Sequence, residues 1–186
     1  MRSISRCSPR PVPARAESVS AAPTSGLPVV VVLDNVRSLY NTGAFFRTAD
    51  ACGIERLVLC GITPRPDQGR KQQRAIAKTA LGAELTVPWE YYAVTADALS
   101  AYAARGYCIV AVETSSDAID LYAWTPAWPI CLVFGHEKDG VAESLATHIE
   151  THVRIPMLGE KRSLNVATAA GVVLYELVRR RRYATS

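Results

Sequence analysis

The sequence predicts one α/β domain built on a mostly parallel sheet flanked by helices. Short apolar runs recur along it, too continuous to alternate as half-exposed strands do, which is the pattern of strands covered on both faces. Helix-like segments, several closed by glycine, separate those runs. The chain's 186 residues, 49% of them apolar, are enough for one good core and too few for two ordinary domains.

Residues 1–26 are rich in Ser, Pro, Ala and Arg, carry Glu17 as their single acid, and lack any periodicity that would bury a face. They are expected to form a disordered tail, leaving 27–186 as the domain. The same composition also resembles an organellar transit peptide, although prolines 9, 11 and 13 would break the amphipathic helix such peptides form. LPVVVVL (27–33) is the first strand, followed by a helix over Ala44–Cys52 closed by Gly53, and RLVLC (56–60) is the second strand. Further helices are expected over Gln73–Leu81 before Gly82, Ala96–Arg105 before Gly106, and Val141–His148. Strands YCIVAVE (107–113), PICLVFG (129–135) and HVRIP (152–156) complete the alternation. A last helix is expected to start at Ser163 as N-cap and to end in the arginines 179–182, whose charge suits its dipole.

No apolar run approaches the length needed to cross a bilayer, so a soluble body is expected. Lysine and arginine outnumber aspartate and glutamate by only 21 to 17, so clustering says more about an anionic partner than the total does. Five cysteines (7, 52, 60, 108, 131) form an odd set without CxxC spacing, mostly within apolar segments, and point to a reducing compartment. His148 and His152 stand four apart and could share a helix face, but no third ligand accompanies them at a known spacing, so no metal site is expected.

In parallel sheets ligands bind beyond the carboxyl ends of the strands, which directs attention to five loops: 34–43, 61–73, 114–117, 135–140 and 157–163. The first enters a helix through Asn41, Thr42 and Gly43, with Arg47 one turn in. This is either an anion site, or an ordinary cap with Arg47 paired to Asp50. GHEKDG (135–140) sets Glu137 between turn-permitting glycines, although taken alone it reads more readily as a glycine-bounded surface turn. IPMLGEKRSLNVATA joins a strand end to a flexible basic loop and a helix start, where capping accounts for Ser163 but leaves Asn165 unexplained. Arg65, Arg70, Lys71, Arg74 and Lys78 cluster in and after the second loop, and Arg179–Arg182 form a second cluster; two such groups flanking one set of loops favour a nucleic acid partner.

Three segments carry a resemblance to a known family. Asn41-x-Gly43-Ala44-x-x-Arg47-Thr48-Ala49-Asp50, Gly135-His136-Glu137-Lys138-Asp139-Gly140, and Ile155-Pro156-Met157 with Ser163-Leu164-Asn165-Val166 resemble, in order and spacing, the three motifs of the SpoU/TrmH family of ribose 2′-O-methyltransferases within the SPOUT superfamily. The resemblance spans about residues 27–180. It implies a carboxyl-terminal segment threaded into a trefoil knot, S-adenosylmethionine bound in the knotted region, a homodimer with active sites near the subunit interface, and no metal. Carried over by position, it implies that Gly135, Ile155 and Leu164, with Met157 and Thr114, hold the cofactor. It further implies that Arg47 is the catalytic arginine, positioned with help from Asn41, and that Glu137, Ser163 and Asn165 shape the catalytic pocket.

The expectation is therefore methylation of a ribose 2′-hydroxyl in RNA. Transfer RNA is slightly preferred to ribosomal RNA, because only a short tail precedes the first strand and a lone domain suits a small folded substrate. RNA would be gripped by Arg65, Arg70, Lys71, Arg74 and Lys78. The rival is a non-catalytic RNA-binding module on the same scaffold, and the presence of Asn41, Arg47, Glu137 and Asn165 argues against it. A nicotinamide-dependent oxidoreductase is disfavoured because no glycine fingerprint follows the first strand. A cytoplasmic location is expected, with an organellar matrix as the alternative if the tail is a transit peptide.

Overall fold

The computed structural model describes residues 26–183, so the expectations for the tail and for Cys7 lie outside the described residues. In chain order the elements are β1 (Leu27–Asp34), α1 (Leu39–Cys52), β2 (Ile54–Cys60), α2 (Arg70–Ala80), β3 (Trp89–Tyr92) and α3 (Thr95–Ala103). They continue with β4 (Cys108–Val112), β5 (Ile119–Asp120), β6 (Ile130–Phe134), β7 (Thr151–Arg154) and α4 (Val166–Tyr183). The seven strands form one sheet in the order β3-β2-β1-β6-β4-β7-β5, and every pairing is parallel.

The continuous apolar runs are explained by what covers the sheet. Val29, Val31, Leu33, Leu57, Leu59, Leu132 and Phe134 turn to one face, where they pack with Phe45 and Phe46 of α1, Ile76 of α2, and Val173, Leu174 and Leu177 of α4. Their neighbours Val30, Val32, Val58, Cys60, Ile109, Ala111, Cys131 and Val133 turn to the other, against Ala98, Leu99 and Tyr102 of α3 and Leu145. With both faces buried, alternation is lost from the sequence although the backbone keeps its two-residue period.

Several boundaries differ from expectation for local reasons. α1 starts at Leu39 rather than Ala44, because the Ser38 side chain accepts from the Asn41 N–H and caps the helix there. Its end is as expected, with Gly53 left-handed at φ 62°. α2 starts at Arg70 and ends one residue early, with Leu81 itself left-handed. α3 is shifted one residue back at its start and two at its end. The segment expected to be a helix from Val141 is a 3-10 turn over Glu143–His148. That separates His148 from His152, which lies on β7, so the two share no helix face. Among the described residues no group of three or more metal-ligating side chains is assembled, and no helix is long and apolar enough to cross a membrane.

β3 and β5 are additional. WEYY sits at the sheet edge, half-buried, and ID is only two residues long, so neither carries the continuous apolar run of the inner strands. The expected strand over 152–156 is Thr151–Arg154. The last helix starts after Asn165, not at Ser163: the Asn165 Oδ1 accepts from the N–H groups of Ala167 (3.0 Å) and Thr168 (3.3 Å). Asn165 is thus the N-cap, and Ser163 is an exposed loop residue.

Candidate functional site

The chain builds β1, β2 and β3 outward in one direction and then crosses to the other side of β1, so the strand order reverses around β1, β6 and β4. The loops that leave the carboxyl ends of those strands diverge there and open a crevice. GHEKDG forms its wall. His136 and Gly140 exchange backbone hydrogen bonds of 2.9 and 3.0 Å, closing the loop into a tight hairpin after β6. A Cβ on Gly135 would stand 2.1 Å from the Gly140 carbonyl carbon and 2.2 Å from Val141 N, so this position demands glycine.

Two acids that sequence reasoning did not single out hold the hairpin in place. Glu113, at the end of β4, accepts from the Val141 N–H at 2.7 Å and lies 3.5 Å from His152 Nδ1. Asp34, at the end of β1 and 2% exposed, accepts from Thr95 Oγ1 (2.6 Å), Asn35 Nδ2 (2.8 Å) and Ala142 N (3.3 Å). The available signal was an acid closing an otherwise apolar strand, a costly placement unless its oxygens are satisfied.

Glu137 points back to the start of α1. Its carboxylate accepts from the N–H groups of Arg37 (3.1 Å) and Ser38 (3.0 Å) and from Asn41 Nδ2 (3.0 Å). Burial pushes its pKa up, but the hydrogen bonds from Arg37, its own backbone, Asn41 and Ser38 outweigh it and hold the carboxyl below its usual range. Glu137 thus occupies the N–H groups of Arg37 and Ser38, just ahead of the helix. Asn41 Oδ1 in turn accepts from Asn165 Nδ2 at 3.2 Å. Glu137, Asn41 and Asn165, one from each motif, therefore form a single hydrogen-bonded chain.

Beside this chain lies a cavity of about 510 Å³, within the usual range for small-molecule sites. All five expected cofactor residues line it: Thr114, Gly135, Ile155, Met157 and Leu164. Glu137, Ser163 and Asn165 share the wall, as do Val112, Phe134 and Val166, giving an apolar floor with a polar rim. Asn41 and Arg47 do not line it. Arg47 is exposed on α1 and forms no ion pair among the described residues, and the alternative partner, Asp50, instead accepts from Thr86 Oγ1 at 3.2 Å. Gly43 serves packing: a Cβ there would stand 2.3 Å from Ile76 O, so the glycine lets α2 lie directly against α1.

The basic residues separate. Arg70, Lys71, Arg74 and Lys78 are exposed along one side of α2, which contains no acid, while Ile76 and Ala80 bury the opposite side. Arg65 leaves the group, pairing with Asp67 at 3.1 Å and lying 4.3 Å over the Tyr91 ring. The second cluster is not beside the site. Arg179 and Arg180 each lie 2.7 Å from the buried Glu176, Arg180 also donates to the carbonyls of Leu121, Tyr122 and Trp124, and Arg181 covers Trp128. Those contacts fasten the carboxyl end of α4 to the segment between β5 and β6, and none of these arginines lines the cavity. The expectation that two basic clusters flank the same loops is corrected accordingly.

A parallel sheet whose reversal point carries a nucleotide-sized cavity, walled by loops from β4, β6 and β7, defines a ligand-binding α/β protein of the doubly wound kind. Residues 28–175 match the SpoU rRNA Methylase family, and the chain belongs to that family. It is 36% identical over 156 residues to the 23S rRNA (guanosine-2'-O-)-methyltransferase RlmB of Ralstonia nicotianae, covering 84% of this chain and 60% of that protein. The AdoMet-bound rRNA methyltransferase from Sinorhizobium meliloti superposes with a TM-score of 0.73 at 30% identity, over 85% of this chain and 61% of that one. A structure described as giving insights into the 2-OH methylation of C/U34 on tRNA superposes with a TM-score of 0.71 at 30% identity, over 82% of this chain and 95% of that one. The chain thus spans about 60% of the length of the curated relatives it matches.

Proposed function

We propose that the chain is an S-adenosylmethionine-dependent methyltransferase acting on a ribose 2′-hydroxyl of ribosomal or transfer RNA. The observation that carries this reading is the hydrogen-bonded chain Glu137–Asn41–Asn165, which ties the cavity to the helix bearing Arg47. The donor set suits S-adenosylmethionine. Its volume suits the cavity, Phe134 and Ile155 offer an apolar bed for a base, and Glu113, Glu137 and Asp139 supply negative charge toward a sulfonium cation. The glycine required at 135 leaves backbone groups accessible to a ligand. When bound, the cofactor supplies an electrophilic methyl group.

The residues of the chain do the rest. Glu137 and Asn41 fix the first turn of α1, and with it the direction from which Arg47 meets the substrate. A guanidinium stays protonated at working pH, so Arg47 serves as a donor that stabilises the 2′-oxygen as its proton leaves to solvent. Asn165 and Ser163 edge the cavity where that oxygen would approach. The relatives divide between ribosomal and transfer RNA. The stripe Arg70, Lys71, Arg74 and Lys78 suits the phosphates of either, whereas Arg65 is occupied elsewhere.

The same reading includes the trefoil knot, a homodimer, a cytoplasmic location and an amino-terminal tail over residues 1–26. Val173, Leu174 and Leu177 are already covered within one chain, so a dimer contact would fall on Leu164, Val172, Tyr175 and Val178, which are half-buried or exposed. Light scattering should return twice the chain mass, and a monomer at micromolar concentration would refute the dimer. Arg47→Ala tests the function. Methyl transfer should fall by at least about a hundredfold with cofactor affinity unchanged, since Arg47 stands outside the cavity. A mutant that methylates RNA at near the wild-type rate would overturn the role of Arg47. A module that only binds RNA would show no transfer in either form.

A further inference from the structure

We propose that the solvent face of α1 is a track for single-stranded RNA, on which Tyr40 stacks a base next to the target nucleotide while α2 holds the phosphates. The proposal rests on the reading above and adds a positioning residue to it. Tyr40 is 54% exposed, although it sits one residue from Asn41 and the hydrogen-bonded chain. Nothing in the capping of α1 calls for an aromatic side chain there, since Ser38 supplies the cap.

Helical periodicity defines the track. Tyr40 and Arg47 are seven residues apart, so they point within roughly 20° of each other, about 10 Å apart along the axis. Between them lies the small, part-exposed side chain of Ala44, which leaves a shallow saddle beside the point where α2 packs on Gly43. The spacing lets a base lie on the ring while a ribose or phosphate one to two nucleotides along meets the guanidinium.

α2 supplies the second wall. Tyr40 O accepts from Thr79 Oγ1 at 2.9 Å, and a Cβ on Gly43 would meet Ile76 O and Thr79 Oγ1, so α2 runs antiparallel to α1 with its carboxyl end beside Tyr40. Lys78 is therefore level with Tyr40, Arg74 with the saddle, and Arg70 and Lys71 lie beyond Arg47. All are exposed, and α2 carries no acid. Asp50, further along α1, is held by Thr86. An exposed aromatic ring beside a row of cations on rigid helices fits a strand whose bases are splayed out, which is how RNA is read, and it does not fit the closed edge of a duplex. A ribose hydroxyl presented for reaction needs its nucleotide out of the stack, and a ring that takes over stacking for the neighbouring base holds it there.

The test is equilibrium binding of a fluorescent single-stranded 12-nucleotide RNA to the full-length protein and to Tyr40→Ala, Tyr40→Phe and Lys78→Ala, across a salt series. Tyr40→Ala should weaken binding about tenfold with the salt slope unchanged, and Tyr40→Phe should stay within about twofold, because the ring does the stacking. Lys78→Ala should lower the salt slope by about one. Only the side chain of Tyr40 changes and its hydrogen-bonded group is backbone, so the fold is kept. Unchanged affinity in Tyr40→Ala, equal losses in Ala and Phe, or a fall in its salt slope would overturn the proposal. If wild type binds RNA with this Tyr40 dependence but transfers no methyl group, the functional reading fails alone; if it methylates RNA and Tyr40→Ala binds normally, the track fails alone.

Discussion

Glu137→Gln removes a charge and leaves the shape of the side chain. Three hydrogen bonds of 3.0–3.1 Å end on the native carboxylate, two from the backbone at the start of α1 and one from Asn41. A carboxamide has one acceptor oxygen, and its NH₂ would be turned toward donors, so at least one of the three is lost and one pair is opposed. Hydrogen bonds to a charged group contribute roughly 1.5–3 kcal/mol each where buried. Glu137 is exposed to solvent, so the whole change should cost only about 2 kcal/mol. For a chain of this size that lowers Tm by about 5 °C. Because the native carboxyl titrates below its ordinary value, its contribution is present above about pH 4.5 and is lost as pH falls through the lowered value. Thermal melts of wild type and mutant should therefore differ fully at pH 7, and the difference should shrink progressively as pH falls below 4.5. Melts that coincide at pH 7, or a gap that does not shrink at all on acidification below pH 4.5, would refute this account of Glu137. Turnover should also fall, since Asn41 and Asn165 lose their anchor, but without a new titration between pH 6 and 9.

Gly135→Ala should abolish binding of S-adenosylhomocysteine in calorimetry while the far-ultraviolet circular dichroism stays native, because the added methyl collides with backbone of Gly140 and Val141 at the cavity wall. Wild-type affinity in that mutant would show the hairpin to be soft. Glu176→Gln should destabilise the chain by roughly 2–3 kcal/mol in urea at pH 7, since it leaves Arg180 half-buried beside an uncharged partner. The hydrogen bond from Arg179, helped by Arg180 and opposed by burial, holds Glu176 at about 2, so the difference should shrink as pH falls from 4.5 toward 2. A pH-independent difference would refute the pairing.

The inner strands were legible because burial on both faces leaves its mark directly in composition: LPVVVVL and ICLVF have no polar face to alternate. β3 and β5 were not, since an edge strand needs only half of that pattern and a two-residue strand has no pattern at all. The second and third motifs placed the cavity residues from Gly135 to Leu164, and the loop after β4 placed Thr114, because strand ends in a parallel sheet all open on one edge. Partnership was the illegible part. Asn165 looked free and Ser163 looked like the cap, yet the roles are exchanged, because either side chain satisfies a helix start and only the backbone path decides between them. The arginines 179–182 looked like a substrate patch, yet the acid that binds two of them lies in the same helix, three and four residues back, where the i,i+3 and i,i+4 rule could have found it.

The arrangement also bears on why three segments so far apart in sequence belong together. The cavity belongs to β4, β6 and β7 with the start of α4, while Arg47 and the cationic stripe belong to α1 and α2 on the other side of the reversal in strand order. β1 pairs directly with β6, so the sheet itself is continuous, but the 135–140 hairpin and the loop into α1 extend beyond those strands and have more freedom than the sheet. Glu137 and Asn165 remove that freedom by ending on the same residue, Asn41, at the point where α1 begins. A misplacement of about 1 Å between a donor and an acceptor can cost two orders of magnitude in rate. A carboxylate spent on two backbone N–H groups and one amide is thus better understood as setting the distance between the two halves than as a proton carrier, and its lowered pKa keeps it ionised at neutral pH.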